Sequence, residues 1–87
     1  MMEPASIAAK IKEALADAQV QVQDLTGTKD HYRVTIITPQ FVDKNMIERH
    51  RMIYKILHDD MEAQGGGIHA LSMATYTPEQ WKERQGT

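Results

Sequence analysis

The apolar residues of this chain change their spacing along its length, and this change limits the folds that are available to it. In the first segment they recur at helical intervals, at Ile7, Ile11, Leu15 and Ala18. This spacing predicts one amphipathic helix that Ser6 caps and that runs to about Ala18. From Gln19 the period becomes two, which is typical of a half-buried strand. The fold must therefore combine helix and sheet.

A second segment in which apolar residues alternate follows a polar stretch of the sequence. The residues from Thr26 to Asp30 include a glycine and predict a turn. The segment from Tyr32 to Thr38 is β-branched and aromatic, and Pro39 ends it. We therefore predict an antiparallel hairpin between this segment and the strand that begins at Gln19.

Helical spacing returns after Phe41. An apolar stripe follows the residues Met46, His50, Ile53, Leu57 and Met61. It predicts a helix, or a pair of helices, that the glycines Gly65–Gly67 end. The segment from Ile68 to Tyr76 predicts a third strand, and the four residues from Thr77 to Gln80 have the order of a capping box. A short last helix containing Trp81 should follow.

The predicted order is helix, strand, strand, helix, strand and helix. It favours an α+β fold with a three-stranded mixed sheet and helices packed on one face. The 87 residues suffice for a single domain over residues 1–87. Apolar residues make up 41% and charged residues 25%, an ordinary globular composition that argues against disorder.

Several classes of function are disfavoured by what the sequence lacks. Without cysteine, the chain cannot form disulfides, thiolate nucleophiles or a cysteine-ligated metal site of its own. No hydrolase or phosphate-binding motif occurs, so we expect no enzyme activity. Apolar runs stop at three residues and no signal pattern opens the chain, so we expect a cytoplasmic protein without a membrane partner. The net charge of −2 gives no global attraction for nucleic acid.

Four histidines are the candidates for chemistry. His31 follows the polar turn, where it could offer an imidazole nitrogen or be a plain surface residue. His69 follows the glycine run, and a ligand role competes with that of a partly buried, hydrogen-bonded histidine. His50 lies on the apolar stripe and His58 on a solvated face. These two are separated by two helical turns, about 12 Å, too far to share one metal ion.

Positive charge is concentrated near the start of the long helical segment. It consists of Lys44, Arg49, His50, Arg51 and Lys55. Such a cluster can contact phosphate or an acidic protein surface, and more often it is simply solvated.

Three segments together resemble the BolA family: Arg49 to Tyr54, Ile68 to Ser72, and Thr77 to Trp81. The resemblance extends from about Asp30 to Trp81, and the first helix and strand fit by order and length. It implies an αββααβ core similar to class II KH domains, with one further helix, which agrees with the order read from periodicity.

The resemblance also implies a partner and a cofactor. BolA-like proteins form heterodimers with monothiol glutaredoxins that bridge a 2Fe-2S cluster, with glutathione as a further ligand source. The resemblance assigns His69 as the signature ligand and His31 as a variable second ligand. A chain without cysteine has too few soft ligands, so we expect no cofactor on the isolated protein and a monomer when it is alone.

The alternative is a stress-response transcriptional regulator that binds DNA. It would use the basic residues Lys44, Arg49, Arg51 and Lys55. No Gly-x-x-Gly loop is present, which disfavours RNA binding in the manner of KH domains.

Two departures from the family pattern are expected to matter. Asp43 stands where the family commonly has glycine, which would alter the turn before the helix. The run Gly65–Gly67 is longer than usual, and it could either loosen the approach of His69 or only lengthen a surface loop.

Overall fold

The computed structural model describes residues 3–25, 27, 31–61 and 65–85, and its elements follow the predicted order. The helices are α1 (Pro4–Ala14), α2 (Met46–Ile56) and α3 (Pro78–Gln85), and the strands are β1 (Gln19–Asp24), β2 (His31–Ile37) and β3 (Ala70–Tyr76). Short 3₁₀ turns occupy Pro39–Phe41 and His58–Asp60. The α+β class is confirmed. The predicted turn from Thr26 to Asp30 lies, except for Gly27, outside the described residues.

The sheet has the order β1-β2-β3 and is mixed, as predicted. Strands β1 and β2 are antiparallel, with Gln19 opposite Ile37. Strands β2 and β3 are parallel, with His31 beside Ala70. A parallel neighbour requires a crossover, and the chain between β2 and β3 supplies it through α2.

The core lies between α1, α2 and one face of the sheet. Its side chains with no exposed surface come from all of these elements and the adjoining turns: Ile7, Ile11, Tyr32, Val34, Ile36, Phe41, Ile53, Leu57 and Ile68. Helix α3 lies against β3, where the rings of Tyr76 and Trp81 are 5.2 Å apart between centroids. The core-facing residues of β2 alternate, which is the period that predicted the strand.

The first helix differs from its prediction at both ends. It begins at Pro4, whose fixed φ and missing N–H suit the first turn, so Ser6 lies inside the helix and caps nothing. It ends at Ala14, because Leu15 leaves the helical conformation. Leu15 and Ala18 are nevertheless buried, in the turn that precedes β1. Because these two apolar residues keep the helical spacing, the sequence predicted a helix that is too long.

The apolar stripe of α2 is only partly a core stripe. Ile53 and Leu57 are fully buried, whereas Met46 is 51% exposed and His50 is half-buried. Met46 lies in the first turn of the helix, so the apolar stripe reaches solvent at this end.

Capping boxes fix the start of two helices. The predicted box at α3 is confirmed, since the Thr77 N–H donates to Gln80 Oε1 at 2.9 Å and the Gln80 N–H donates to Thr77 Oγ1 at 3.2 Å. A second box at α2, between Asn45 and Glu48, has the same reciprocal bonds. Each cap satisfies backbone donors that a helix start leaves unpaired.

Arg49 ties these elements together from inside the fold. Only 6% of its surface is exposed, and its Cζ atom lies 5.4 Å from the centroid of the Phe41 ring. Its guanidinium donates to the carbonyl oxygens of Lys44, Phe41 and Thr75 at 2.9, 3.1 and 3.3 Å, and to Gln80 Oε1 at 3.0 Å. A buried guanidinium needs such partners, because each lost bond would leave a charged donor desolvated.

The turn before α2 contains a residue with a left-handed backbone, at the position where the resemblance implies glycine. Asp43 has a φ of 65°, a conformation in which its Cβ crowds the following carbonyl. Replacing Asp43 with glycine removes that crowding, although glycine also gains entropy in the unfolded chain.

We therefore predict that Asp43→Gly raises the free energy of unfolding by about 0.5 kcal/mol, since relief of roughly 1–2 kcal/mol of strain exceeds the entropic cost. Urea denaturation measures the change. Val42→Gly is the matched control, because Val42 has a φ of −59° and its replacement should only destabilise. If Asp43→Gly were less stable than the wild type, backbone strain at Asp43 would be contradicted.

The acid limit of stability is expected to depend on Asp17. Its carboxylate accepts hydrogen bonds from Gln40 Nε2 at 2.9 Å and from Thr38 Oγ1 at 3.0 Å, and these bonds lower the pKa of Asp17 below its ordinary value. A lowered pKa in the folded state contributes stability above the ordinary value, about 3.9, and this contribution is lost as the pH falls through the lowered one.

We predict that Asp17→Asn makes the melting temperature less dependent on pH below about pH 4, where a carboxylate would take up its proton. Gln40→Ala removes the larger cause and should act in the same direction. Thermal melts at pH 6 and pH 3 test both variants. If the melting temperatures of both variants depended on pH as steeply as that of the wild type, the role of this carboxylate would be refuted.

Candidate functional site

The fold brings His31 and His69 together at one end of the sheet. His31 is the first residue of β2, and β3 begins directly after His69. Because the parallel register sets His31 beside Ala70, the two imidazoles become neighbours, with ring centroids 4.8 Å apart and planes inclined by 49°. Both residues were predicted ligands in separate segments, and the structure places them in one pair.

The pair is accessible from solvent. His69 is exposed and His31 is half-buried. The predicted partial burial of His69 is thus wrong, and the third strand begins at Ala70 and not at Ile68. A ligand that must be shared with another molecule has to be reachable in this way.

The residue that precedes His69 is anchored in the core. Ile68 has no exposed surface, and its N–H donates to the carbonyl oxygen of Asp60 at 2.8 Å. It also forms an isolated parallel bridge with Met61. These contacts fix the backbone immediately before His69.

The glycine run has a packing role that the sequence did not reveal. The Gly66 N–H donates to the carbonyl oxygen of Met61 at 3.0 Å, and a Cβ added at Gly66 would overlap the backbone of Asp60. Gly65 has a φ of 86°. The Asp60 carboxylate pairs with Lys10 of α1. Within the run, Gly66 is therefore held in a tight turn against the backbone of Asp60.

The pair brings two imidazole donor groups together. Imidazole nitrogen is a good ligand for iron, zinc and copper ions. In the ranges that the structure describes, no group of three or more histidine, cysteine, aspartate or glutamate side chains could hold a metal ion. Among the described residues, the two histidines can thus supply only part of a metal ligand set.

The remaining histidines lie outside this pair. His58 is exposed, with Nδ1 3.2 Å from Asp59 Oδ1, as expected for a solvated face. His50 is half-buried on α2, and its Nε2 has no hydrogen-bond partner among the described residues.

The basic residues around α2 do not form one outward surface. Arg49 points into the fold, so its predicted contact with nucleic acid is corrected: the guanidinium is already engaged by protein oxygens. Lys44 is half-buried, and its carbonyl oxygen accepts a hydrogen bond from Arg49 Nε. Arg51 and Lys55 are exposed and lie one turn apart on α2. Neighbouring helix positions face different directions, and the sequence alone could not separate Arg49 from Arg51.

None of the helices in the described ranges is both long enough and apolar enough to cross a membrane.

Comparison with known sequences gives relatives over most of the chain. Human BolA-like protein 1 is 29% identical over 86 residues, covering 91% of this chain and 61% of the human protein. The protein named DNA-binding transcriptional regulator BolA from Escherichia coli is 33% identical over 61 residues, covering 70% of this chain and 55% of that protein. The chain thus spans only about three fifths of the length of such relatives. Their names are those of regulators or BolA-like proteins and not of enzymes.

Solved structures agree with the fold. A BolA homologue from Coxiella burnetii superposes with a TM-score of 0.77 at 28% identity, covering 94% of this chain and 99% of that one. BolA1 from Arabidopsis thaliana gives 0.76 at 25% identity, covering 92% and 98%.

The sequence profile described as BolA-like protein matches residues 7–80, which include both histidines of the pair. With the predicted element order present in the structure, this chain belongs to the BolA-like protein family.

Proposed function

We propose that this chain is a non-enzymatic partner of a monothiol glutaredoxin and that the heterodimer holds a bridging 2Fe-2S cluster. The task would be iron-sulfur trafficking or iron and redox regulation. The observation that carries the proposal is the solvent-accessible pair of His31 and His69, 4.8 Å apart between ring centroids, in a chain without cysteine.

The ligand requirement supports a shared cluster. Two irons bridged by sulfide need four further ligands, and thiolates are preferred. His69, with His31 beside it, would supply imidazole, while the glutaredoxin cysteine and glutathione would supply sulfur. A bound cluster provides electron transfer or cluster relay, and histidine in place of cysteine raises its reduction potential.

The anchoring of His69 also favours a ligand role. Ile68 is buried directly before it, and the turn at Gly66 packs on the backbone of Asp60. A ligand held by such contacts loses little freedom when it binds, and this preorganisation strengthens binding.

We predict that His69→Ala abolishes the spectrum of the mixed cluster, because it removes the exposed ligand while Ile68 and the core remain. His31→Ala should weaken the cluster less. The measurement is visible absorption and circular dichroism after this chain is mixed with a cluster-loaded monothiol glutaredoxin. The wild-type chain alone should hold no stoichiometric cluster.

His58→Ala is the matched control, since His58 is exposed and its Nδ1 lies 3.2 Å from Oδ1 of its neighbour Asp59. It should leave the mixed spectrum unchanged. Far-ultraviolet circular dichroism checks that each variant is folded. An unaltered mixed spectrum with His69→Ala would show that the ligand assignment is wrong.

The second candidate is a DNA-binding transcriptional regulator, and the name of the Escherichia coli relative favours it. Arg51 and Lys55 are exposed side by side on α2 and could contact phosphate. Against this reading, Arg49 is engaged inside the fold and the whole chain carries a net charge of −2. We rank it below the cluster function for these reasons.

If DNA binding uses Arg51 and Lys55, we predict that affinity falls about tenfold between 50 and 200 mM salt, as two phosphate contacts require. The double variant Arg51→Gln/Lys55→Gln should lose most of this dependence. Lys12→Gln, at an exposed position of α1, is the control. Fluorescence anisotropy with duplex DNA measures the affinities. A salt dependence equal in all three proteins would exclude this surface.

A further inference from the structure

Strand β1 forms an edge of the sheet. The strand order is β1-β2-β3, and in the described part of the chain no strand lies outside β1. The opposite edge, at β3, is partly covered, because Arg49 Nη1 donates to the carbonyl oxygen of Thr75 at 3.3 Å. The edge at β1 is thus the more open one.

The register shows which backbone groups of β1 point away from β2. The Leu25 N–H donates to the carbonyl oxygen of His31 at 2.9 Å, so this opposed pair is a hydrogen-bonded one. Hydrogen-bonded pairs alternate along an antiparallel ladder, so Gln23, Gln21 and Gln19 also bond towards β2. The N–H and C=O groups of Val20 and Val22 therefore point outward.

The charge of this edge strand is confined to its last residue, Asp24. The residues from Gln19 to Gln23 include no charge and no proline. The glutamines are exposed and the valines are half-buried, in strict alternation. Such a strand is complementary to an antiparallel copy of itself.

We propose that β1 pairs with β1 of a second copy of this chain, so that one sheet runs through a two-fold symmetric dimer. With the axis at Gln21, Val20 lies opposite Val22 and Gln19 opposite Gln23. The outward backbone groups of Val20 then form hydrogen bonds with those of Val22 across the axis. Within residues 19–23, each valine lies opposite a valine and each glutamine opposite a glutamine.

Other registers match less well. A shift of one residue turns the valines towards the opposite face of the sheet. A shift towards the end of the strand sets Asp24 opposite Val20, where a charge meets an apolar side chain. The register centred on Gln21 avoids both mismatches.

The dimer is weak and leaves the histidine pair accessible. A single strand edge buries less than the roughly 1,200 Å² of a stable interface, so the chain stays monomeric when dilute and pairs when concentrated. β3 lies on the far side of β2 from this edge, so His69 remains outside the contact. The proposal is independent of the cluster function.

Cross-linking tests the register. In Gln21→Cys the introduced thiols face each other in a non-hydrogen-bonded pair, with Cα atoms about 4.5 Å apart, within disulfide range. Gln23 lies on the same strand and face as Gln21. In a Gln23→Cys dimer the two introduced thiols are four residues apart along the strand, on the order of 13 Å. We expect oxidation at high protein concentration to give the disulfide dimer at least tenfold faster for Gln21→Cys. Equal rates would overturn the proposal.

Sedimentation velocity over a concentration series up to about 1 mM provides the second readout, because micromolar to millimolar dissociation constants are typical of weak contacts. The wild type should shift towards the dimer. Gln21→Lys sets like charges opposite each other and should raise the dissociation constant about fivefold. Gln85→Lys, an exposed change on α3 with the same charge, should not. A monomer at every concentration, or a dimer indifferent to Gln21→Lys, would overturn the proposal.

Discussion

The parallel pairing of β2 with β3 is the contact on which the candidate site depends. It sets His31 beside Ala70, and two histidines from separate parts of the chain become neighbours. The helical crossover that a parallel pair requires also supplies Arg49, whose guanidinium bonds to the carbonyl oxygen of Thr75 in β3. The same connection therefore allows the parallel pairing, covers part of the β3 edge and brings the two imidazoles together.

A second constraint acts on the turn that leads into β3. Gly66 lies so close to Asp60 that no side chain fits there, and Asp60 is itself paired with Lys10 of α1. The ligand candidate His69 thus projects from a turn that two other elements hold. An exposed residue on a fixed backbone can meet a partner without first being ordered, which is the property that a shared metal site needs.

Periodicity predicted the fold well because the apolar positions of helices and strands differ in spacing. Periodicity failed where one residue type can occupy two different environments. Leu15 and Ala18 continued the helical period yet pack in a turn, and Arg49 was counted as surface charge although it bonds inside the fold. The positions of His31 and His69 marked both as candidates, and the resemblance to BolA proteins assigned them as ligands, but no spacing rule reveals a contact made across a parallel register. The role of Gly66 depends on an approach between backbones that residue types do not encode.

We propose that the imidazoles of this chain coordinate iron in the complex with a monothiol glutaredoxin. The most direct measurement is pulsed electron paramagnetic resonance of the reduced mixed cluster, with ¹⁵N-histidine incorporated in this chain alone and an unlabelled partner. Coordination by histidine should give a strong ¹⁵N hyperfine coupling from directly bound nitrogen, and this coupling should be lost when His69 is replaced by alanine. A reduced cluster with no ¹⁵N coupling from this chain would show that its histidines do not bind the iron.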